Sequence, residues 1–528
     1  MNYLNNALNH TKQTDKIPGV NQVKNNAGGY VFSIDKWKML DRFLFTGTEG
    51  GTYYVEESKL TTDNLDNLFS CIKEDGVRVI DRIVEISSKG LAPKNDPAIL
   101  ALAAVAAKGD LNARKYAYAN FDKVIRIGTH LFTFMNFKKS LGGFGKGVRK
   151  AINHWYNGKD LDSLGYQLVK YKNREGWTHK DVLRITHPIP KNESYNYLYS
   201  YVTGKNTAVN LLPDIVFAND VIQNLQKVSD VVKTIKEYGL TREMVPTEFQ
   251  KNVLVQDALL AKMPITALIR NLGAYTASGL LTPFTTQTNY VVERLKNTGL
   301  VHPITILTAL KNYAAGRGFR GSLTWEPVAK IKYALNEAFY NSFNTLSNIN
   351  KNVYIGVDIS GSMDMQINNT NLTCAEASAA LAMCINKCAD SSVIKGFSSM
   401  GNGSLWGFSK MKDLYISHDD TLDSALEKTR KYTFGRTDCA LPMLDAIDNA
   451  YDIDCFVIFT DNETYCGSVH PVQALNDYNR KFNKNAKLIV CAMTGTPFSI
   501  ADPKNPNMLD ICGFDSTIPT LINNFIEE

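Results

Sequence analysis

The sequence predicts a multidomain chain: an all-α helical-repeat array over residues 22–352, then an α/β doubly wound domain over residues 353–528. Three observations carry this. From about 22 to 350 the chain reads helix after helix, with apolar residues at helical spacing between starts and stops. After 352 short buried strand candidates at 353–358, 393–397, 455–460 and 487–493 alternate with helix candidates at 373–389, 420–431, 438–450, 470–483 and 516–527. The charge changes sign at the same place. Residues 1–352 hold 45 Lys and Arg against 30 Asp and Glu (+15), and residues 353–528 hold 13 against 22 (−9).

Residues 1–21 read as a flexible polar N-terminal arm. Asp96-Pro97 has N-cap and first-turn chemistry, Ala98–Leu102 continues the helix and Lys108-Gly109 closes it. Met263–Gly273 repeats that grammar, with Pro264 near the start and Gly273 at the end. Thr129–Lys139 puts aromatics on one face and a Lys pair at its end. Such arrays stack as a solenoid with an extended concave surface. No sequence repeat is evident, so any repetition is structural.

Composition excludes several classes. No apolar run spans a bilayer, Ala98–Ala107 being too short, and the polar start Met1–Asn6 is no signal peptide. Eight of nine cysteines follow residue 370, without a paired C-x-x-C spacing that would suggest zinc. Cys384 and Cys388, one turn apart in an apolar run, read as core residues of a reducing, cytoplasmic compartment. The basic first two-thirds suits a polyanion, or is an ordinary solvated surface.

Val353–Asp358 runs straight into Asp358-x-Ser360-x-Ser362, and Cys455–Thr460 ends in Asp461-Asn462-Glu463. Between them Gly435-Arg436-Thr437-Asp438 turns into an apolar helix start. In open α/β sheets ligands bind beyond the carboxyl ends of strands. Asp358, Ser360, Ser362, Thr437 and Asp461 would form an oxygen-only set for a divalent metal ion such as Mg²⁺. The bare Asp-x-Ser-x-Ser also fits a strand-end turn with a helix cap. The whole order resembles the metal-ion-dependent adhesion site of von Willebrand factor A domains.

The best nucleic-acid candidate is Tyr166–Arg184. Lys170 and Arg174, four apart with Lys172 between, are expected to share a helix face. Thr178 caps a second helix carrying Lys180 and Arg184, with His187 at its end. Cations beside a helix N-terminus suit phosphates, and Tyr171 or Trp177 could stack on unpaired bases. The spacing fits slightly better a core Tyr and Trp with solvated cations. A second cluster holds Lys138, Lys139, Lys146, Arg149 and Lys150 around Gly142, Gly143, Gly145 and Gly147, without a P-loop signature. A third, Lys311–Gly321, interleaves arginines, aromatics and glycines as single-strand binders do.

Signs of an enzyme are thin. Asp461, Asn462, Glu463 and His470 sketch a hydrolase site, with no nucleophile, base and orienting group in evidence. His130 and His302 read as helix caps or satisfied interior histidines.

The chain resembles the Ro autoantigen family, a TROVE domain followed by a von Willebrand factor A domain, from about residue 25 to the end. Arg42-Phe43-Leu44, Gly47–Tyr54, His130–Phe134, Phe137-Lys138-Lys139, Lys170-Tyr171-Lys172, Gly176–Asp181 and Leu268–Gly273 carry it. So do Thr437-Asp438-Cys439, Phe459–Thr464 and Ile500–Pro503, while Asn25–Gly29 is closer to bacterial members. The resemblance implies a ring of HEAT-like repeats closed by the A domain, monomeric and non-enzymatic. Its hole would take single-stranded ends of misfolded structured RNAs, and its outer basic face a small noncoding Y RNA, which in bacterial relatives can tether a 3′ exoribonuclease. Lys170, Arg174 and His187 fall on the matching Y RNA stretch, and the cluster after Lys138 and Lys139 is the candidate for the hole. Arg436 stands where many members have Gly, a side chain expected to crowd the metal site. The alternative is a protein-interaction scaffold working through that site.

Overall fold

The computed structural model describes residues 10–49, 51–205, 211–319, 321–343, 349–367, 370–399, 409–417, 419–431 and 435–527. Met1–Asn9, Gly50 and Arg320, which enter the motifs above, lie outside them.

Helices dominate residues 36–343, and most pack on helices near them in the chain. The long helix Glu57–Lys89, kinked at Asp75, packs on Asp96–Lys108, which packs on Gly128–Leu141. Leu161–Lys170 packs on Asp214–Ile222, and the sequence continues through Val228–Tyr238, Val253–Leu260 and Ile265–Ala277 to Pro303–Ala314. The array returns to its beginning. A Cβ added at Gly90, which closes the first long helix at φ +66°, would lie 3.2 Å from the Leu300 carbonyl. Helix Asp96–Lys108 is buried from Ala98 to Ala106 except for half-buried Leu100, which explains an apolar surface all round. Its N-cap is Asn95, so Asp96 is already inside the first turn. Helix Ile265–Ala277 runs through Gly273 instead of stopping there. That glycine makes room for a ring: a Cβ would sit 2.6 Å from Trp325.

The strands are β1 (Val23–Lys24), β2 (Tyr30–Ser33), β3 (Asn173–Arg174), β4 (Trp177–Thr178), β5 (Ile349–Asp358), β6 (Ala389–Ser399), β7 (Ser409–Asp413), β8 (Cys455–Thr460), β9 (Lys487–Ala492), β10 (Phe498–Ser499) and β11 (Met508–Cys512). Six form one sheet in the order β11-β9-β8-β5-β6-β7, parallel except for the edge strand β7. From β5 the chain adds β6 on one side, then β8 on the other. The topological switch therefore falls between β5 and β8.

Side chains alternate across this sheet. Val353, Ile355 and Val357 face a hydrophobic core continuous with that of the helical array. Tyr354, Phe456 and Ile458 face a second core under helices Leu441–Asp448 and Pro471–Phe482. All nine cysteines are free thiols, and Cys384 and Cys388 are buried as expected. No described helix is long and apolar enough to cross a membrane.

Two expectations change at the N-terminus. Residues 10–21 are anchored: Gln13 is fully buried against Asp438, Val469 and Gly467. Strand β2 pairs with β10, so residues ahead of the helices belong to the sheet domain's edge. The helices and the sheet domain are clamped at two places. Buried Arg42 donates to the Asp510 carboxylate at 2.6 Å and to the Thr496 and Phe498 carbonyls. Lys311 of helix Pro303–Ala314 is ion-paired with Glu376, at the capped start of helix Cys374–Cys388. This takes Lys311 out of the basic cluster around it.

Candidate functional site

Four of the five expected metal ligands, Asp358, Ser360, Ser362 and Asp461, converge at the switch point, and Thr437 follows a turn held to them. Asp358 ends β5, and its neighbour across the sheet, Thr460, ends β8 and donates to Asp358 Oδ2 at 2.7 Å. The Ser360 N–H donates to Asp358 Oδ1 at 2.9 Å, and the Ser360 and Ser362 hydroxyls lie 3.2 Å apart. Asp461 takes the Glu463 N–H and a hydrogen bond from the Ser362 hydroxyl. The Gly361 N–H holds the Gly435 carbonyl, which sets Thr437 beside the same turn. All five residues are at most 5 % exposed. Burial, with the nearby Asp461 charge, pushes the Asp358 carboxyl up to about 7, and burial also raises Asp461. Two buried carboxylates among three hydroxyls suit a hard divalent cation: the donors are all oxygen, and the charge that burial penalises is the charge a cation would neutralise. Arg436 does not crowd the centre. Its side chain is exposed, its charge acts on Tyr465, and its carbonyl accepts from Ser398.

The sequence did not reveal that this centre is roofed by the N-terminal half. Asn25 Nδ2 donates to the Asn462 and Thr464 carbonyls, while Asn26 Nδ2 and the Ala27 N–H grip the Glu463 carboxylate at 2.7 and 2.9 Å. Gly29 lies so close that a Cβ would overlap the Thr464 carbonyl. Residues 47–49, 51 and 52 face Met365, Gln366, Met493 and Thr494 across a crevice of about 40 Å³. Farther along, the Tyr54 hydroxyl is pushed up by burial and by the nearby Tyr465, Asp461 and Glu463 charges. The only early sign of this roof was the motif pair Asn25–Gly29 and Gly47–Tyr54.

The hydrolase sketch dissolves. Glu463 is gripped as described, and His470 caps helix Pro471–Phe482 while bonding Gln22 and the Asp15 carbonyl. His302 is both a cap and a satisfied interior residue: Nδ1 accepts the Ile304 N–H, and Nε2 faces the Phe514 carbonyl at 2.9 Å. His130 is half-buried, with Nδ1 near the Arg126 N–H and Asn95.

The basic residues regroup. The helix carrying Lys170 ends there, and Arg174 sits in the hairpin β3–β4, so the two do not share a helix face. Glu175 (φ +52°) and Gly176 (φ +78°) form the two-residue hairpin turn, and that turn overrides helical spacing. Lys170 is half-buried and donates to the Tyr166 hydroxyl at 2.8 Å; Arg174 pairs with Glu175 and Asp96. Lys138 is buried, and its ammonium donates to the Gly143 carbonyl at 2.5 Å, so it is not available to a phosphate. Trp177 is a core ring, and Tyr171 is half-buried.

Thr178 forms the expected cap, a reciprocal capping box with Asp181 that starts helix His179–Thr186. Arg184 and His187 are exposed on and after it, and Lys180 is half-exposed. The two basic stretches meet through Trp177. Lys139 Nζ stands 5.9 Å from its ring, and Phe144 packs edge-on at 5.7 Å. Helix Lys146–Gly158, carrying exposed Arg149 and Lys150, packs on His179–Thr186, with Asn153 bonded to the Thr186 carbonyl. Lys139, Arg149, Lys150, Lys172, Lys180, Arg184 and His187 therefore line adjoining elements.

Family comparisons agree with both halves. Residues 23–211 match the TROVE domain, and residues 352–526 match the Ro60 vWA domain. The chain is 35% identical to the RNA-binding protein RO60 of Deinococcus radiodurans, covering 97% of this chain and 96% of that protein. It is 30% identical to the RNA-binding protein RO60 of Caenorhabditis elegans, covering 98% and 91%. The crystal structure of the Deinococcus radiodurans RO (RSR) protein superposes with a TM-score of 0.68 at 32% identity, covering 93% of this chain and 99% of that one. With a helical TROVE array clamped to a parallel-sheet A domain whose switch point holds paired acids and hydroxyls, the chain belongs to the Ro60 family.

Proposed function

We propose that this protein binds RNA without acting on it chemically. The observation that carries the reading is the union, across Trp177, of two basic stretches into adjoining exposed elements of the array. Cations spread over rigid helices hold phosphates with little sequence preference, as suits a small structured RNA. In this reading the outer basic face holds a Y RNA, and the hole of the ring takes single-stranded ends of misfolded RNAs for quality control. A Y RNA could then tether a 3′ exoribonuclease. The A domain closes the array, with Mg²⁺ held by Asp358, Ser360, Ser362, Thr437 and Asp461.

The scaffold alternative needs a partner to reach that cation. The burial of all five residues under the Asn25–Gly29 segment and residues 47–49 and 51–54 disfavours it.

Ultraviolet crosslinking in the native host, followed by sequencing of attached RNA, tests the reading. The expected result is one abundant small structured RNA crosslinked within residues 139–187. Enrichment no greater than in a Lys139→Ala/Lys172→Ala/Arg184→Ala variant would overturn it. If an Asp358→Ala variant instead loses a bound protein, the scaffold reading replaces it.

A further inference from the structure

A cavity of about 550 Å³ lies where the beginning of the array, its end and the A domain meet. Pro93 and Lys94 come from the turn after the first long helix. Helices Ile265–Ala277 and Pro303–Ala314 form the walls, and Ile367 and Thr370 come from the A domain. Such a volume is ordinary for a small-ligand pocket.

Its back wall is rigid. Trp325 Nε1 donates to the Tyr313 carbonyl at 3.0 Å, the two rings stack 6.2 Å apart, and Gly273 fits closely against Trp325. The mouth is different. A short antiparallel turn, with Arg317 bridged to Thr324 and the Gly318 N–H to the Leu323 carbonyl, presents Phe319 and Leu323 nearly half exposed, at 45 and 49 %.

The nitrogen-bearing side chains are donors, beside the Thr305, Thr308 and Thr370 hydroxyls, which can donate or accept. Arg270, one turn before Gly273, is exposed and makes no ion pair among the described residues. Asn312 accepts from Asn371 at 2.8 Å, which leaves its own amide N–H groups without a partner among the described residues. Among the described residues no carboxylate lines the cavity. An apolar slot with an exposed aromatic edge, amide donors and an unpaired guanidinium is complementary to a flat, acceptor-rich ring attached to an anion.

We propose that this cavity takes one unstacked nucleobase of single-stranded RNA, with Phe319 against its face, Asn312 at its edge and Arg270 on the adjoining phosphate. The proposal rests on the RNA-binding reading and assigns to it a site separate from the Lys139–His187 surface. It also gives a role to the Lys311–Gly321 cluster, whose lysine is spent on Glu376.

The test uses the full chain and two probes: a fluorescein-labelled uridine octamer, alone or with one 4-thiouridine, and a small RNA hairpin without single-stranded ends. Phe319→Ala is expected to weaken the octamer about tenfold. Arg270→Gln is expected to weaken it several-fold and lower the salt slope by about one ion. Both should leave hairpin binding and the melting temperature unchanged, since both side chains are exposed. The thiouridine should crosslink within residues 316–325. Octamer binding unaffected by both variants, or hairpin binding without octamer binding, would overturn the cavity assignment alone. Binding of neither probe by the wild type would remove the RNA reading and this assignment with it. If an aromatic acidic peptide displaced the octamer and lost affinity in both variants while hairpin binding stayed intact, the cavity would be reassigned to a protein partner.

Discussion

At the scale of single residues, His302 shows how a buried imidazole ties the molecule together and makes it acid-sensitive. Its Nδ1 accepts the Ile304 N–H at the start of a helix, and its Nε2–H points at the Phe514 carbonyl of the A domain. The first contact needs the neutral ring, because a protonated Nδ1 cannot accept; the second is made by either form. Burial pushes the group from 6.5 down to about 4. The unfolded chain therefore takes up this proton first. Stability from His302 is complete above pH 6.5 and is lost as pH falls from 6.5 towards 4. His302→Asn keeps a capping acceptor but removes the proton site. It should remove up to about 1.4 kcal/mol per pH unit from the slope of stability across that window, measured by denaturant unfolding at pH 4.5–7. An unchanged slope would show that the ring protonates freely in the native state. His130 and His179, pushed down to about 4 and about 3, add to the same acid limb, so the slope should shrink without vanishing.

At the scale of elements, two parallel strands that end side by side build the candidate metal centre, and a turn from the far end of the chain covers it. The acids at the ends of β5 and β8 are buried facing one another, a state that costs free energy unless a cation offsets it. Millimolar MgCl₂ is therefore expected to raise the melting temperature of the wild type and not that of Asp358→Asn, and EDTA to reverse the rise. At a hundredfold excess over Kd the linkage is worth about 2.7 kcal/mol. Equal midpoints with and without the ion would leave the site structural. What could be read from the chain follows from the same geometry. Strands buried on both faces write unbroken apolar runs, and an acid after such a run is a local signal, so β5, β8 and the acids at their ends were legible. Strands β1, β2, β10 and β11 were not, because they are short, and all but β2 lie at sheet edges. The roof was illegible for another reason: Asn26 meets Glu463 across most of the chain, and no local spacing encodes that. Where two local signals competed, the stronger was misjudged. The Glu175-Gly176 turn outweighed the helical spacing of Lys170 and Arg174, and Gly273 answered to Trp325 rather than to a helix end.

At the scale of the whole molecule, a ring of helices is only as stable as its closure, and here the A domain supplies that closure twice. One clamp is Arg42, from helix Lys36–Thr46, on Asp510 and the carbonyls of Thr496 and Phe498. The other joins the helix Pro303–Ala314 to the A domain, through Lys311 on Glu376 and through His302 on Phe514. One hydrophobic core runs between them, from the array helices to one face of the sheet. Domains joined by small polar interfaces melt separately, whereas a shared core makes partial unfolding expose apolar surface on both sides. Calorimetry should therefore show a single endotherm for the full chain. Arg42→Ala would leave the Asp510 carboxylate, 5 % exposed, buried without its cation, at a cost of about 3–5 kcal/mol. Because the core still links the halves, that variant should move the whole endotherm down rather than split it. A second peak in the wild type would show that the array and the A domain are independent units. A split in Arg42→Ala alone would place the cooperativity in the clamp instead of the core.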